Sequence, residues 1–150
     1  EASLVGSEMC IRDRYGKTFS TLGKTLDPIS QDSCAFYERT ALFADYDGVA
    51  NGPDEGINIA KALGNKDFVI LQNHGILTTG TMVDTTIWYF LNMEDACKSQ
   101  LLAEAVGKPI VIPHETACAT RDYVANDLSA YVSFQPTVDV LWEEEPDLLD

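Results

Sequence analysis

The chain has 150 residues, about one domain's worth, and 45% of them are apolar, enough for a sizeable core. No run of about 18 or more apolar residues is present, which excludes a membrane-spanning helix of that length, and the first ten residues carry two Glu and no basic residue, unlike a secretory signal. A formal net charge of −14 repels phosphate backbones and argues against nucleic-acid binding.

The charge is uneven. Half of the ten basic residues, Arg12, Arg14, Lys17, Lys24 and Arg39, fall in the first 39 positions, and no basic residue follows Arg121. An anionic small substrate would have to meet a basic group in the N-terminal third. Cys10, Cys34, Cys97 and Cys118 form no C-x-x-C pair. They read as reduced thiols of a cytoplasmic protein, mostly buried.

Residues 1–14 show neither helical nor strand periodicity. A short helix is expected over 16–22, stopped by Gly23, and a second over 29–38, opened by Asp27-Pro28. Residues 40–44 suit a strand and 45–52 a turn-rich loop. Pro53-Asp54-Glu55 starts a helix with acids in its first turn; Ile57, Ala60 and Leu63 form its apolar stripe and Gly64 caps it. Two strands follow, over 67–72 and 76–79. The longest periodic stretch runs over 81–106, with Ile87, Phe90, Leu91, Glu94, Cys97, Leu101 and Ala105 at helical spacing and Gly107 and Pro109 ending it. A short strand at 110–112 and helices over 114–125 and 134–145 complete the chain, the last with Pro136 near its start. This order predicts a layered α/β domain with a mixed or antiparallel sheet. Neither G-x-G-x-x-G nor G-x-x-x-x-G-K-[ST] occurs.

Chemistry concentrates in Phe68 to Gly80, FVILQNHGILTTG. His74 sits between two apolar strands, and Gly75 allows a tight turn or a close backbone approach. A histidine held rigidly at a sheet edge suits a metal, and imidazole is a common zinc ligand. By itself, a lone His after a strand is more often a hydrogen-bonded turn or core residue.

The flanking residues add to this. Asn73-His74-Gly75 after an apolar strand, then Gly80, then a long helix, resembles the class II aldolase/adducin family. Tyr15 to Phe36, YGKTFSTLGKTLDPISQDSCAF, resembles the family's segment after a histidine pair. Asp54-Glu55-Gly56 resembles its next helix start, Met93 to Gln100, MEDACKSQ, the body of its long helix, and Phe134-Gln135-Pro136 a C-terminal feature. The likeness spans about 15–145. It implies a three-layer α/β/α domain over 15–150, with a central mixed or antiparallel sheet flanked by helices and an acidic helical tail.

In catalytic members of that family a His-x-His pair and the Asn-His-Gly histidine bind one zinc. The zinc polarises a substrate carbonyl and an upstream Glu moves the proton. The resemblance thus implies His74 as a zinc ligand, with Asn73 and Gly75 shaping the turn; no catalytic residue is assigned. It also implies a lyase or epimerase acting on a small sugar phosphate or hydroxy-carbonyl compound, and a homo-oligomer, a tetramer in the family. A non-catalytic, adducin-like domain binding actin or other cytoskeletal partners is the alternative.

The chain departs from the pattern. The pair is expected near positions 10 and 12, which hold Cys10 and Arg12. Cys10 is able to ligate zinc as a thiolate; Arg12, always protonated, is not. The zinc site is therefore incomplete, and no stoichiometric high-affinity zinc is expected. Either catalysis was lost naturally, or residues 1–14 are foreign. Ser3 to Arg14, SLVGSEMCIRDR, resembles a translated sequencing adaptor, and the family likeness stops where it starts, which favours the second. Residues 1–14 are then a leader expected to pack poorly, and 15–150 a partial domain.

Other candidates read as structural. His114 starts a helix outside the metal motif. Glu94 is a paired or hydrogen-bonded core acid supporting the sheet. Glu143, Glu144 and Glu145 are a solvated run, and Tyr37 and Glu38 are suited to an interface. Trp88, Tyr89 and Phe90 are consecutive on a helix, so at least one must point away from the core, to a subunit interface or under the C-terminal helix.

Overall fold

The computed structural model describes residues 7–9, 14–45 and 53–149. Four strands form one sheet in the order β1-β4-β3-β2, with β1 at Ser7–Met9, β2 at Thr40–Phe43, β3 at Phe68–Leu71 and β4 at Gly75–Gly80. β2 runs parallel to β3, pairing Thr40 with Phe68, while β3 and β4 are antiparallel, pairing Leu71 with Gly75. The sheet is therefore mixed, as expected. β1 was not anticipated: Ser7 to Met9 pair antiparallel with Gly80 to Thr78 at the sheet edge. Backbone pairing at an edge needs no apolar alternation, so this strand carries no periodic signal.

Strand alternation sends side chains to two faces. Phe68, Ile70 and Ile76 meet Phe19, Phe36, Tyr89, Phe90 and Met93 in the larger core. Those partners lie on or beside α1 (Arg14–Ser20), α2 (Gln31–Cys34) and α4 (Val83–Val106). Val69, Leu71, Leu77 and Phe43 pack on the other face against Ile59, Ala62 and Leu63 of α3 (Pro53–Leu63). Helices thus cover both faces, giving the three-layer α/β/α arrangement.

Several elements differ from expectation. α2 is a single turn, closed by a capping box between Ser30 and Ser33, and hydrogen-bonded turns replace helix up to Arg39. The inner stripe of α3 is the partly buried Ile59, Ala62 and Leu63, with Ile57 51% exposed. Gly64 ends α3 as expected, at φ +56. On α4 the inner face is Tyr89, Phe90, Met93, Ala96, Cys97 and Gln100, while Leu91 and Ala105 face out. The stripe is rotated because α4 packs on the sheet and on α1 at once. Residues 110–112 form no strand; Ile112 N–H donates to Pro28 O at 2.8 Å, and Pro28 has no N–H to return. α5 (His114–Val124) matches expectation, but α6 runs Asp127–Glu144 with Pro136 inside it. Pro136 and Val132, whose carbonyl it leaves without an amide, both lie on the solvent face, where water can replace the bond. A 3₁₀ turn, Pro146–Leu149, follows.

Trp88 is half-buried while Tyr89 and Phe90 are buried. Trp88 lines a cavity of about 260 Å³ with Tyr123, Ser129 and Ser133, so it packs beneath the C-terminal helices. No helix among the described residues is long and apolar enough to cross a membrane.

Candidate functional site

His74 is placed by a turn that three elements hold. β3 ends at Leu71, and His74 N–H closes the turn onto Leu71 O at 2.9 Å. Gln72 N–H donates to Phe43 O at the end of β2 at 2.9 Å, and Asn73 N–H reaches Ser20 O at the end of α1 at 3.4 Å. Asn73 takes the left-handed backbone, φ +60, a conformation Asn tolerates better than most residues. Gly75, expected at the tight turn, is instead the buried first residue of β4, opposite Leu71. His74 is half-buried.

α1 is fixed beside this turn by Glu94. The Glu94 carboxylate accepts Tyr15 N–H at 2.5 Å and also Gly16 N–H, so it caps the helix from 78 positions away. Gly16 allows the approach: a Cβ there would lie 2.8 Å from Glu94 Oε2 and 3.0 Å from Ile76. Glu94 is a hydrogen-bonded acid as expected, but it supports α1 rather than the sheet.

The next turn of chain is held by a second network. Gln100, fully buried, accepts Asp27 N–H at 2.9 Å and donates to Asp27 Oδ2 at 2.6 Å and Glu104 Oε1 at 2.8 Å. Lys24 adds an ion pair to Glu104 at 2.5 Å, and the Lys24 and Gln100 hydrogen bonds hold the Glu104 carboxyl below its ordinary range. Lys24 is thus engaged, as is Arg39, paired with Asp67 at 2.7 Å. Lys17 is exposed on α1.

A zinc centre built on three histidines does not fit the described residues. No group of three His, Cys, Asp or Glu donors gathers around His74 among them, and positions 10 and 12 lie outside them. The one such group is elsewhere: Glu38, His114 and Cys118 present ligand atoms within 4.8 Å of one another. The sequence set His114 aside and left Cys118 as a plain thiol. The legible signal was their spacing, His-x-x-x-Cys, which puts both on one face of a helix.

Cys34 and Cys97 are buried, and burial pushes both thiols up, Cys97 far up with the Glu94 charge adding to it. Glu143, Glu144 and Glu145 are exposed, as a solvated run should be.

Residues 11–101 match the family described as the Class II Aldolase and Adducin N-terminal domain. The chain is similar to Decarboxylase NovR of Streptomyces niveus, 37% identical over 134 residues, covering 89% of this chain and 50% of that protein. It is 36% identical to alpha-adducin of Rattus norvegicus over 95 residues, 61% of this chain and 13% of that one. Among solved structures it is similar to an L-fuculose 1-phosphate aldolase from Glaciozyma antarctica, with TM-score 0.85 and 36% identity over 97% of this chain and 55% of that chain. The chain spans about half the length of the first curated relatives it matches.

Proposed function

The chain belongs to the class II aldolase and adducin family, and on that premise we propose that it is part of a zinc-dependent aldolase or epimerase acting on a small sugar phosphate or hydroxy-carbonyl compound. The observation that carries this reading is the anchoring of the Gln72-Asn73-His74 turn to the ends of α1, β2 and β3 by three backbone hydrogen bonds. A metal ligand has to be held by rigid elements, and this turn is. His74 is one ligand, Asn73 shapes the turn that presents it and Gly75 opens the strand that follows, and the remaining ligands and the proton-moving group lie outside the described residues. The relatives support the chemistry: one is named an aldolase of a sugar phosphate and another a decarboxylase, so cleavage of a carbon–carbon bond is the reaction proposed.

The protein would work in the cytoplasm as a homo-oligomer, a tetramer by family precedent. Exposed apolar residues support association: Val106, Ile110, Leu128, Val132 and Trp142 are each at least half exposed. The test is the unbroken reading frame leading into Tyr15 and the protein it encodes. A His-x-His just ahead of Tyr15, a Glu upstream of it and metal-dependent cleavage of a sugar phosphate are expected. Absence of the motif together with absence of activity contradicts the reading.

A second reading is a non-catalytic, adducin-like domain that binds actin or another cytoskeletal partner. It is favoured by Arg12 at an expected ligand position and by the likeness to alpha-adducin. Cosedimentation with actin filaments, with no metal-dependent activity in the complete protein, is its signature.

A further inference from the structure

We propose that Glu38, His114 and Cys118 form a second cation site, on the surface between the turn after α2 and the start of α5, that takes a borderline divalent cation such as zinc. It is separate from the His74 turn and does not rest on the proposed function. Cys118 Sγ lies 3.7 Å from Glu38 Oε2, and His114 Nδ1 lies 3.8 Å from both Glu38 Oε1 and Cys118 Sγ. Zinc bonds of about 2.0–2.3 Å in a tetrahedron put neighbouring ligand atoms about 3.3–3.6 Å apart. The three donors therefore need to close by only a few tenths of an ångström. One thiolate, one imidazole and one carboxylate suit zinc, and three protein donors leave the fourth position to water.

The surroundings hold these donors in place. Ala117, fully buried, fixes the rotation of α5, so His114 and Cys118 face the same way one turn apart. The Ile112 hydrogen bond to Pro28 O secures the approach to α5. Tyr37 Oη lies 3.2 Å from His114 Nδ1, and the two rings meet edge to face at 5.9 Å. A cation bound through Nδ1, the nitrogen 3.8 Å from both partners, takes the place of the Tyr37 hydroxyl contact, while the edge-to-face ring contact still orients the imidazole. Glu38 is in the left-handed region at φ +60, a position that costs a non-glycine residue energy and that clusters at ligand clamps. Lys66 Nζ donates to its carbonyl and holds it there.

Arg121 opposes a cation. Its Nη1 lies 3.4 Å from Glu38 Oε2. It has other partners, Asp122 Oδ1 at 2.8 Å and Tyr37 O at 3.5 Å, so it can release Glu38 without being stranded. A carboxylate and a thiolate then balance the two charges of the metal. This site departs from the sequence expectation of no stoichiometric high-affinity zinc, which rested on the incomplete His74 centre and set His114 aside.

The test is a titration of the whole chain, stripped by chelator, with Zn²⁺ against a chromophoric indicator and with Co²⁺ as a spectroscopic probe. One equivalent of Co²⁺ should give the visible bands of a four-coordinate ion and a thiolate charge-transfer band. Even groups that only orient a ligand are worth about 10–100-fold in affinity, so Cys118→Ser and His114→Ala should each weaken Zn²⁺ by at least about tenfold. Cys118→Ser should also abolish the charge-transfer band, and Glu38→Gln should weaken binding without abolishing it. His74→Ala and Cys10→Ser should change nothing. Circular dichroism of the metal-free variants should match the parent, since Glu38 and His114 are exposed and Cys118 is not fully buried. No cobalt bands, a band that survives Cys118→Ser, or binding that depends on His74 or Cys10 overturns the proposal.

Discussion

The Glu94 carboxylate on α4 holds the first turn of α1 by accepting the amides of Tyr15 and Gly16. The two residues that begin the family-like stretch are thereby tied to the middle of the long helix. α1 in turn supplies Ser20 O to the Asn73 amide. The cap therefore stabilises the element that positions the His74 turn. Glu94→Ala should cost about 1–3 kcal/mol, since it strands two amides, and Glu94→Gln less. Gly16→Ala should cost about 1–3 kcal/mol by overpacking against Glu94 and Ile76. The losses should not add in the double variant, because both act on one contact. Chemical denaturation of the four proteins checks this.

The Asn73 backbone gives a second prediction. Its φ of +60 suits Gly or Asn and opposes a β-branched side chain. Asn73→Gly should change stability by less than about 0.5 kcal/mol, while Asn73→Val should lose about 1–2 kcal/mol. Thermal melts of both variants distinguish a demand on the backbone from a demand on the Asn side chain. Equal losses in the two would mean that the side chain matters.

Acid and base should act on the Lys24–Glu104 pair from opposite sides. The Lys24 and Gln100 hydrogen bonds lower the Glu104 pKa. That contribution is complete above the ordinary Glu value of about 4.3 and fades as pH falls through the lowered value in the fold. Burial alone would lower Lys24, but the Glu104 hydrogen bond and charge outweigh it and raise the pKa. That contribution is complete below about 10.4 and fades as pH rises through the raised value. The pair is partly exposed, so Glu104→Gln should cost less than about 1 kcal/mol at neutral pH. The difference from the parent should vanish in acid below the folded Glu104 value. Melting temperature against pH for the parent and Glu104→Gln reads this directly.

Much of this was legible in the sequence. Phe68 to Leu71 is apolar without a break and Gly75 to Gly80 follows a polar triplet, so two adjacent strands and their turn were readable. The length of α4 was readable from its period and from Gly107, but its inner face only in part: Phe90 and Cys97 lie in it, Leu91 and Ala105 do not. Tyr89, Met93 and Ala96 turn inward because the sheet and α1 flank the helix on different sides, information that no single-helix period contains. Pro136 was read as a start because proline removes an amide; its solvent-facing position let the helix run through it. Glu38 stands 76 positions before His114, so only the His114–Cys118 spacing was available, and the carboxylate that completes the group came from the fold.

Thiol reactivity tests the packing independently. Burial raises the Cys34 and Cys97 thiols, so thiolate is scarce at both and access is closed. In the native protein neither should react with a disulfide reagent on the timescale on which both react in denaturant. Cys118 is not fully buried and should react first among these three, and zinc bound at the surface cation site should protect it.

The measurement closest to the central claim is the metal content of the complete protein, read from its unbroken frame. It should be compared in three forms: the parent, His74→Ala, and His114→Ala with Cys118→Ser. His74→Ala should lose one bound divalent cation together with carbon–carbon bond cleavage of a sugar phosphate. The double variant should keep both that cation and the activity. Metal content and activity unchanged by His74→Ala would contradict the assignment of His74 as a ligand.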